Sequence, residues 1–319
     1  MGETMIGETI KSQGLPWQDE ARRVAQNIRM RVLAHTIRNN GGYLSQACSS
    51  AEILATLYTR IMVLGPSQGP LIPASFPGVP GPNNPNSFTG ALYNGPQAPH
   101  LDRFFFSPVH YALVLYAALI EVGRLAPEAL AQFNKDGSTV ELIGAEHSPG
   151  IEVTAGSLGQ ALSQAGGIAL ARRLRGERGR VWVFMSDGEL QEGQTWEAFA
   201  ALTHYKLDNV GVYFDINGQQ CDGKMETVMT VEPIKARLEA FGAQVHEVDG
   251  HDVEALAVPA ERPRAGKPLV VLARTDPCRG LEVLRDRAPK LHYIRFKSDA
   301  ERQAYQAILE QLGRAERGA

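Results

Sequence analysis

The chain has 319 residues, with 32 Lys and Arg against 35 Asp and Glu, for a formal charge of −3. That balance leaves no basic surface to neutralise a run of phosphates, which excludes nucleic-acid binding, and 44 % hydrophobic residues exclude disorder for most of the chain. No apolar run reaches the roughly 18 residues a membrane-spanning helix needs.

The start, MGETMIGETIKSQG, has no apolar signal core, and Ile6 stands where a myristoylation signal needs Ser or Thr. Cys48, Cys221 and Cys278 are odd in number and far apart. They suggest neither a disulfide framework nor a thiolate zinc site and fit a reducing cytoplasm. Asp19 to Arg38 reads as an amphipathic helix with Val24, Ile28 and Val32 on one stripe, stopped by Asn39-Asn40-Gly41-Gly42. Ser49-Ser-Ala-Glu52 reads as a capping box opening a second helix that runs to Gly65. Residues 65–99 then hold nine of the 19 prolines and no charged residue. This stretch predicts an insertion without regular structure, a surface excursion by default. Its Ile72, Phe76, Phe88 and Tyr93 suggest instead a segment packing on something, such as a partner subunit.

Beyond Arg103 the pattern becomes regular. Helices are predicted at Val109–Gly123, Pro127–Phe133, Ser157–Arg175, Glu192–Tyr205, Glu232–Phe241, shortly after Asp252, and at 298–312. Apolar runs predict buried strands at Arg180–Met185 and Val210–Asp215, and strands at Gln244–Val248 and Leu269–Arg274 continue the alternation. Strands that are apolar throughout and separated by helices imply an α/β fold with a parallel sheet covered on both faces. The chain reads as a single domain over 1–319 with one insertion.

Ligands of such sheets bind beyond the carboxyl ends of the strands. Two strands there deliver Asp187-Gly188 and Asp215-Ile216-Asn217-Gly218. Carboxylate, amide oxygen and free carbonyls suit Mg²⁺ or Ca²⁺. Gly188 allows close backbone approach at a helix head that favours an anion, so the pair reads as a metal-bridged diphosphate site. Glu189, Glu192 and Glu197 follow, either as helix-start carboxylates or as an interface cluster. Ala155–Gln160 supplies glycines before a helix without matching a Walker or GxGxxG pattern. His110, His147 and His292 stand in loops or at helix starts, where an imidazole can face a ligand or simply cap; His35, His204, His246 and His251 read as structural.

Ser186-Asp-Gly-Glu-Leu-Gln-Glu-Gly193, followed by Asn217 with 28 residues between Gly188 and Asn217, resembles the thiamine diphosphate motif. Gly150–Gln160, Arg103-Phe-Phe-Phe-Ser-Pro-Val-His110, Val248-Asp-Gly-His-Asp252 and Ala273-Arg-Thr275 are similar to stretches of the transketolases, in the same order. The likeness covers about residues 20–295 apart from the insertion, and only the N-terminal, diphosphate-binding part of that family. It implies a thiamine diphosphate-binding fold and the first subunit of a split transketolase. The partner polypeptide would carry the pyrimidine-binding domain and its activating glutamate, in a heterotetramer of two of each.

The resemblance further implies a residue set. Asp187 and Asn217 would bind Mg²⁺ (or Ca²⁺), with the Gln219 carbonyl as third ligand; Gly188 would donate its N–H to the diphosphate, with Glu189 beside it. Gly156 and Leu158 would pack near the aminopyrimidine, Cys221 beside the thiazolium, and His110 near diphosphate and substrate. His292 and His147 would serve as further catalytic histidines, and Glu192, with Glu197, would join the two cofactor sites across the dimer.

Three departures stand out. Ser186 replaces the first glycine of the metal motif. Gly42-Tyr43-Leu44-Ser45 replaces Gly-His-Pro-Gly, and Gly144-Ala145-Glu146-His147 is a shortened second Gly-His-Pro segment. The implied activity is ketol transfer from an atypical ketose phosphate, such as a branched or sulfonated sugar, to an aldehyde. Two alternatives stay open: the decarboxylating subunit of a 2-oxoacid system, and a non-catalytic scaffold subunit.

Overall fold

The computed structural model describes residues 15–79, 81–84, 87–263 and 265–318; the N-terminal stretch read above for signal and acylation motifs lies outside them. The first half contains α1 (Trp17–Asn39), α2 (Leu44–Thr56), β1 (Arg103–Phe106), α3 (Ala112–Glu121), α4 (Ala161–Leu174) and β2 (Val181–Ser186). Next come α5 (Gly193–His204), β3 (Val210–Ile216), a hairpin of β4 (Gln219–Gln220) and β5 (Gly223–Lys224), and α6 (Met225–Val228). The chain closes with α7 (Ile234–Ala240), β6 (Gln244–Asp249), α8 (Val253–Glu261), β7 (Leu269–Arg274) and α9 (Asp299–Gly318).

Five strands form one parallel sheet in the order β1-β2-β3-β7-β6. Every residue of β2 and β3 is buried, because strands centred in a doubly covered sheet present both side-chain rows to helices. Phe104, Phe106, Trp182, Phe184 and Tyr213 join one core with α1, α2, α3 and α8. Phe105, Val183, Met185, Val212 and Phe214 join the other with α4, α5 and α7. Each such side chain contributes about 1.5–3 kcal/mol by leaving water. Among the described residues no helix is long and apolar enough to cross a membrane.

The predicted alternation holds, and four local expectations do not. The second helix starts at Leu44, and Ser49 lies inside it: its hydroxyl donates 2.5 Å to Asp215, so the capping box never forms. Arg103-Phe-Phe-Phe106 is an edge strand that periodicity missed, four residues being too few to show a period. The long helix begins at Ala161, four residues late, because Gly159 takes a left-handed backbone (φ +79°) to bring its N–H onto Glu189. α9 extends to Gly318, past the expected 312.

The Pro-rich segment divides into two parts. Ile72, Phe76 and Phe88 are exposed, as a surface excursion requires. Gly90–Asn94 forms a 3₁₀ turn that enters the core, with Tyr93 and Asn94 buried. Asn94 accepts from the Tyr58 hydroxyl and donates to the Gly150 carbonyl, both at 3.0 Å. Tyr93 therefore packs within its own chain.

Candidate active site

The register aligns Ser186 with Asp215 and Ile216 with Arg274, so β2, β3 and β7 end at one level. There β2 passes into a 3₁₀ turn, Asp187–Gln191, and β3 into Asn217-Gly218 and the β4–β5 hairpin. Gly218, at φ +67°, turns its N–H onto the Asp187 carboxylate at 2.7 Å. A Cβ on Gly188 or Gly218 would meet nothing within 4 Å, so open space lies above both backbones.

Asp187 and Asp215 are both fully buried and play different parts. Asp215 accepts from the Ser49 and Thr275 hydroxyls (2.5 Å each), the Asn217 amide (2.9 Å) and the Tyr111 hydroxyl (3.2 Å). Four donors saturate its oxygens, and by drawing in the Asn217 NH₂ it orients the amide so that Oδ1 turns to the hairpin, where it accepts from the Gln219 N–H at 2.9 Å. Burial raises its pKa above the usual carboxylate value. Asp187 receives backbone donors only. Burial first, then the Asp215 charge, push it up to about 8. Such a carboxylate calls for a cation.

Three oxygens could supply that need: the Asp187 carboxylate, Asn217 Oδ1 and the carbonyl of Gln219. The hairpin also buries Gln219 Oε1 without a hydrogen-bond partner among the described residues. Among the described residues no group of three or more His, Cys, Asp or Glu could hold a metal. The donor set is therefore one carboxylate with neutral oxygens, the kind Mg²⁺ uses when phosphate oxygens complete its shell.

Glu189 is fully buried, with its oxygens turned inward. It accepts from the Ser107 hydroxyl, the Gly159 N–H (3.0 Å) and the Ser186 N–H (2.9 Å), tying together the segments after β1, before α4 and at the end of β2. Its pKa is raised, chiefly by burial. Glu192 and Glu197 are exposed at the start of α5, and no hydrogen bond or ion pair engages their carboxylates among the described residues. Gly156 is exposed and Leu158 half-buried in the loop before α4; Cys221 is exposed in the hairpin turn.

Beside the oxygen set stands a ring cluster that unites three distant segments. His110 and His292 lie 5.3 Å apart, with Tyr43 edge-on to each at 5.5 and 5.4 Å. Gln46 donates 3.0 Å to the His292 carbonyl. Burial, then the neighbouring His292, push His110 down to about 3; burial also lowers His292. Both are neutral imidazoles near pH 7. His110 is linked to the oxygen set through Tyr111, whose ring it meets at 4.8 Å and whose hydroxyl accepts from Asn217 at 3.0 Å. His147 is not part of this cluster: its Nε2 pairs with Glu141 at 2.9 Å and its ring packs on Phe76 of the insertion.

The sequence reading missed Gln46, Ser49, Tyr111 and Thr275. The signal for the first two was a polar stripe, Ser45, Gln46, Ser49, Glu52, at helical spacing on a helix that is buried throughout.

A parallel sheet with oxygen donors and an open turn at its carboxyl edge defines an α/β domain whose candidate ligand site lies beyond the strand ends. Comparison narrows this. The family described as transketolase, thiamine diphosphate binding domain, matches residues 86–280. A transketolase family protein of Sinorhizobium fredii is 33% identical over 288 residues, 89% of this chain and 93% of its own. One polypeptide of the apulose-4-phosphate transketolase of Actinobacillus succinogenes is 30% identical over 284 residues, 88% of this chain and 93% of its own. Transketolase from Campylobacter jejuni shares the fold at a TM-score of 0.70 and 21% identity, over 93% of this chain but 47% of that one. The chain belongs to the transketolase family of transferases and carries its thiamine diphosphate-binding domain. It spans nearly the full length of the first two relatives and about half of the transketolase of known structure.

Proposed function

We propose that this chain is the diphosphate-binding subunit of a two-polypeptide transketolase, acting with Mg²⁺ and thiamine diphosphate on a ketose phosphate donor and an aldehyde acceptor. The observation that carries the reading is the Asp187–Asn217 oxygen set standing next to the neutral His110–His292 pair. When bound, thiamine diphosphate supplies a carbanion able to take up a two-carbon ketol unit. The protein's part is to hold and orient. Asp187, Asn217 Oδ1 and the Gln219 carbonyl hold Mg²⁺, and the Gly188 N–H meets the diphosphate. His110 and His292, kept unprotonated by burial, accept and return protons at substrate hydroxyls.

The exposed carboxylates of Glu192 and Glu197 form the rim on which the pyrimidine-binding partner closes. Two of each polypeptide complete the assembly in the cytoplasm. Tyr43 holds the place that resembles a donor-binding histidine, which favours an atypical donor, and the Actinobacillus relative is named for apulose 4-phosphate. To test this, the chain is combined with its partner polypeptide, Mg²⁺ and thiamine diphosphate, and ketol products are followed by mass spectrometry. Turnover of a ketose phosphate is expected. Failure of every ketose donor alongside turnover of pyruvate would replace ketol transfer by 2-oxoacid decarboxylation.

A further inference from the structure

The loop before α4 carries Gly156 and Leu158 but has no regular structure of its own. No helix or strand forms between Gln132 and Ala161. Among the described residues no hydrogen bond ties the stretch 153–158 to another segment. Its position is therefore set by what holds its two ends. Towards α4 the holder is Glu189, which accepts from the Gly159 N–H at 3.0 Å.

The other end is held by the inner part of the Pro-rich segment. Gly90 donates its N–H to the Glu146 carbonyl at 2.9 Å, and its own carbonyl accepts from the Gly150 N–H at 3.0 Å. The Thr89 hydroxyl donates to the His147 carbonyl and the Asn94 amide to the Gly150 carbonyl, both at 3.0 Å. Residues 89–94 thus bind the backbone of 146–150 along its length. The approach is so close that a Cβ on Gly90 would stand 2.9, 2.3 and 2.2 Å from the carbonyl oxygens of Glu146, Ser148 and Ile151. The Phe76 ring adds a contact with His147 at 4.6 Å. At its base the segment is fixed by Arg124, which donates to the Tyr93 and Gly65 carbonyls at 2.9 and 3.0 Å.

We propose that residues 89–94 are a strap, with Thr89 and Gly90 as positioning residues for the aminopyrimidine end of thiamine diphosphate. By fixing 146–150 they hold Gly156 and Leu158 in place before the cofactor arrives, which spares the cost of ordering the loop on binding. The inference rests on those two residues lying at the aminopyrimidine. The diphosphate end is met by other segments, Asp187-Gly188 and Asn217, and does not depend on the strap.

Where a strap bond is lost the loop samples other positions, and the apparent Kd rises by up to the factor that the bond was worth. In the complex with the partner polypeptide, calorimetry with Mg²⁺ compares thiamine diphosphate with inorganic pyrophosphate, which represents the diphosphate end alone. Thr89→Val should weaken thiamine diphosphate about fivefold, the equivalent of one hydrogen bond. Gly90→Ala, which displaces two backbone bonds, should weaken it about thirtyfold. Pyrophosphate affinity should stay as it is, and Thr89→Ser, which keeps the hydroxyl, should bind like the unaltered chain. Amide hydrogen exchange over 146–158 should speed up in Thr89→Val. Should Gly90→Ala fail to fold, Thr89→Val, at a half-buried side chain, carries the test.

Equal weakening of both ligands overturns the strap, since the variants then disturb the whole site. Unchanged thiamine diphosphate affinity in the strap variants, beside a loss in Leu158→Ala, overturns it as well. Unchanged affinity in Leu158→Ala removes instead the placement of the loop at the aminopyrimidine. Amide exchange then decides whether the strap holds the loop, and an unchanged rate in Thr89→Val overturns that too.

Discussion

The backbone N–H of Gly218 donates to the Asp187 carboxylate at 2.7 Å, joining the heads of the two central strands. This bond brings the side chains of Asp187 and Asn217 into one oxygen set although 29 residues intervene. It also leaves Asp187 with backbone N–H donors and no cationic side chain paired with it among the described residues, below the open space over Gly188 and Gly218.

Asp187→Ala should therefore abolish Mg²⁺-dependent affinity for thiamine diphosphate while the fold persists. The lost Gly218 bond costs about 1 kcal/mol, offset in part by removing a poorly compensated buried carboxylate. Calorimetry with and without Mg²⁺, beside a melting curve, checks both halves. Unchanged cofactor affinity would remove Asp187 from the metal set.

Glu189 and Glu192 stand three residues apart and should behave in opposite ways. Glu189→Ala strands the Ser107 hydroxyl and the N–H groups of Gly159 and Ser186 in the interior. Loss of about 3–5 kcal/mol is expected in urea denaturation. Glu192→Gln, at an exposed carboxylate without partners, should leave chain stability within about 0.5 kcal/mol and weaken assembly with the partner polypeptide, read by sedimentation. A stable Glu189→Ala variant would show that its three donors find other acceptors.

Within the Pro-rich segment, the inner and outer parts should separate cleanly. Asn94→Ala orphans the Tyr58 hydroxyl and the Gly150 carbonyl and should cost about 2–4 kcal/mol. Phe88→Ser, on the exposed part, should leave the melting temperature unchanged. Equal destabilisation by both would mean that the outer part is also core.

Acid should destabilise the chain through His35. Its ring is buried against Phe133, Nε2 has no partner among the described residues, and burial, aided by Arg38, pushes the imidazole down to about 4 from 6.5. The unfolded chain takes up a proton near pH 6.5 and the folded one only near 4. This contribution is thus fully present above 6.5 and is lost as pH falls towards 4, amounting to about 3 kcal/mol. His35→Leu should flatten the stability-against-pH curve between pH 6.5 and 4. An unchanged slope would assign the acid sensitivity to other groups.

Much of the sheet was legible because β2, β3 and β7 are apolar along their whole length, a pattern that only a doubly covered strand produces. Four-residue β1 has no room for a period. Ser49 shows a different limit: its local pattern is that of a helix cap, and only the approach of Asp215, 166 residues away, reassigns its hydroxyl. His110 and His292 were each readable as candidates, but their pairing depends on Gly42 and Ile294 bonding across the molecule. His147 looked equivalent to them and instead faces Glu141.

By itself the sequence determined which side chains arrive at the carboxyl edge of the sheet, since the length of each apolar run sets where Asp187, Asp215 and Asn217 fall. It could not say which of the two aspartates faces outward. Alternation along a strand assigns sides relative to its neighbours, and nothing in it states which side a helix will cover. Ser49 of α2, Tyr111, Asn217 and Thr275 supply four donors to Asp215 and close it off, while Asp187, below the open backbone at Gly188, has no cationic side chain paired with it among the described residues. Tertiary structure made one carboxylate a strut and left the other below the open turn at Gly188.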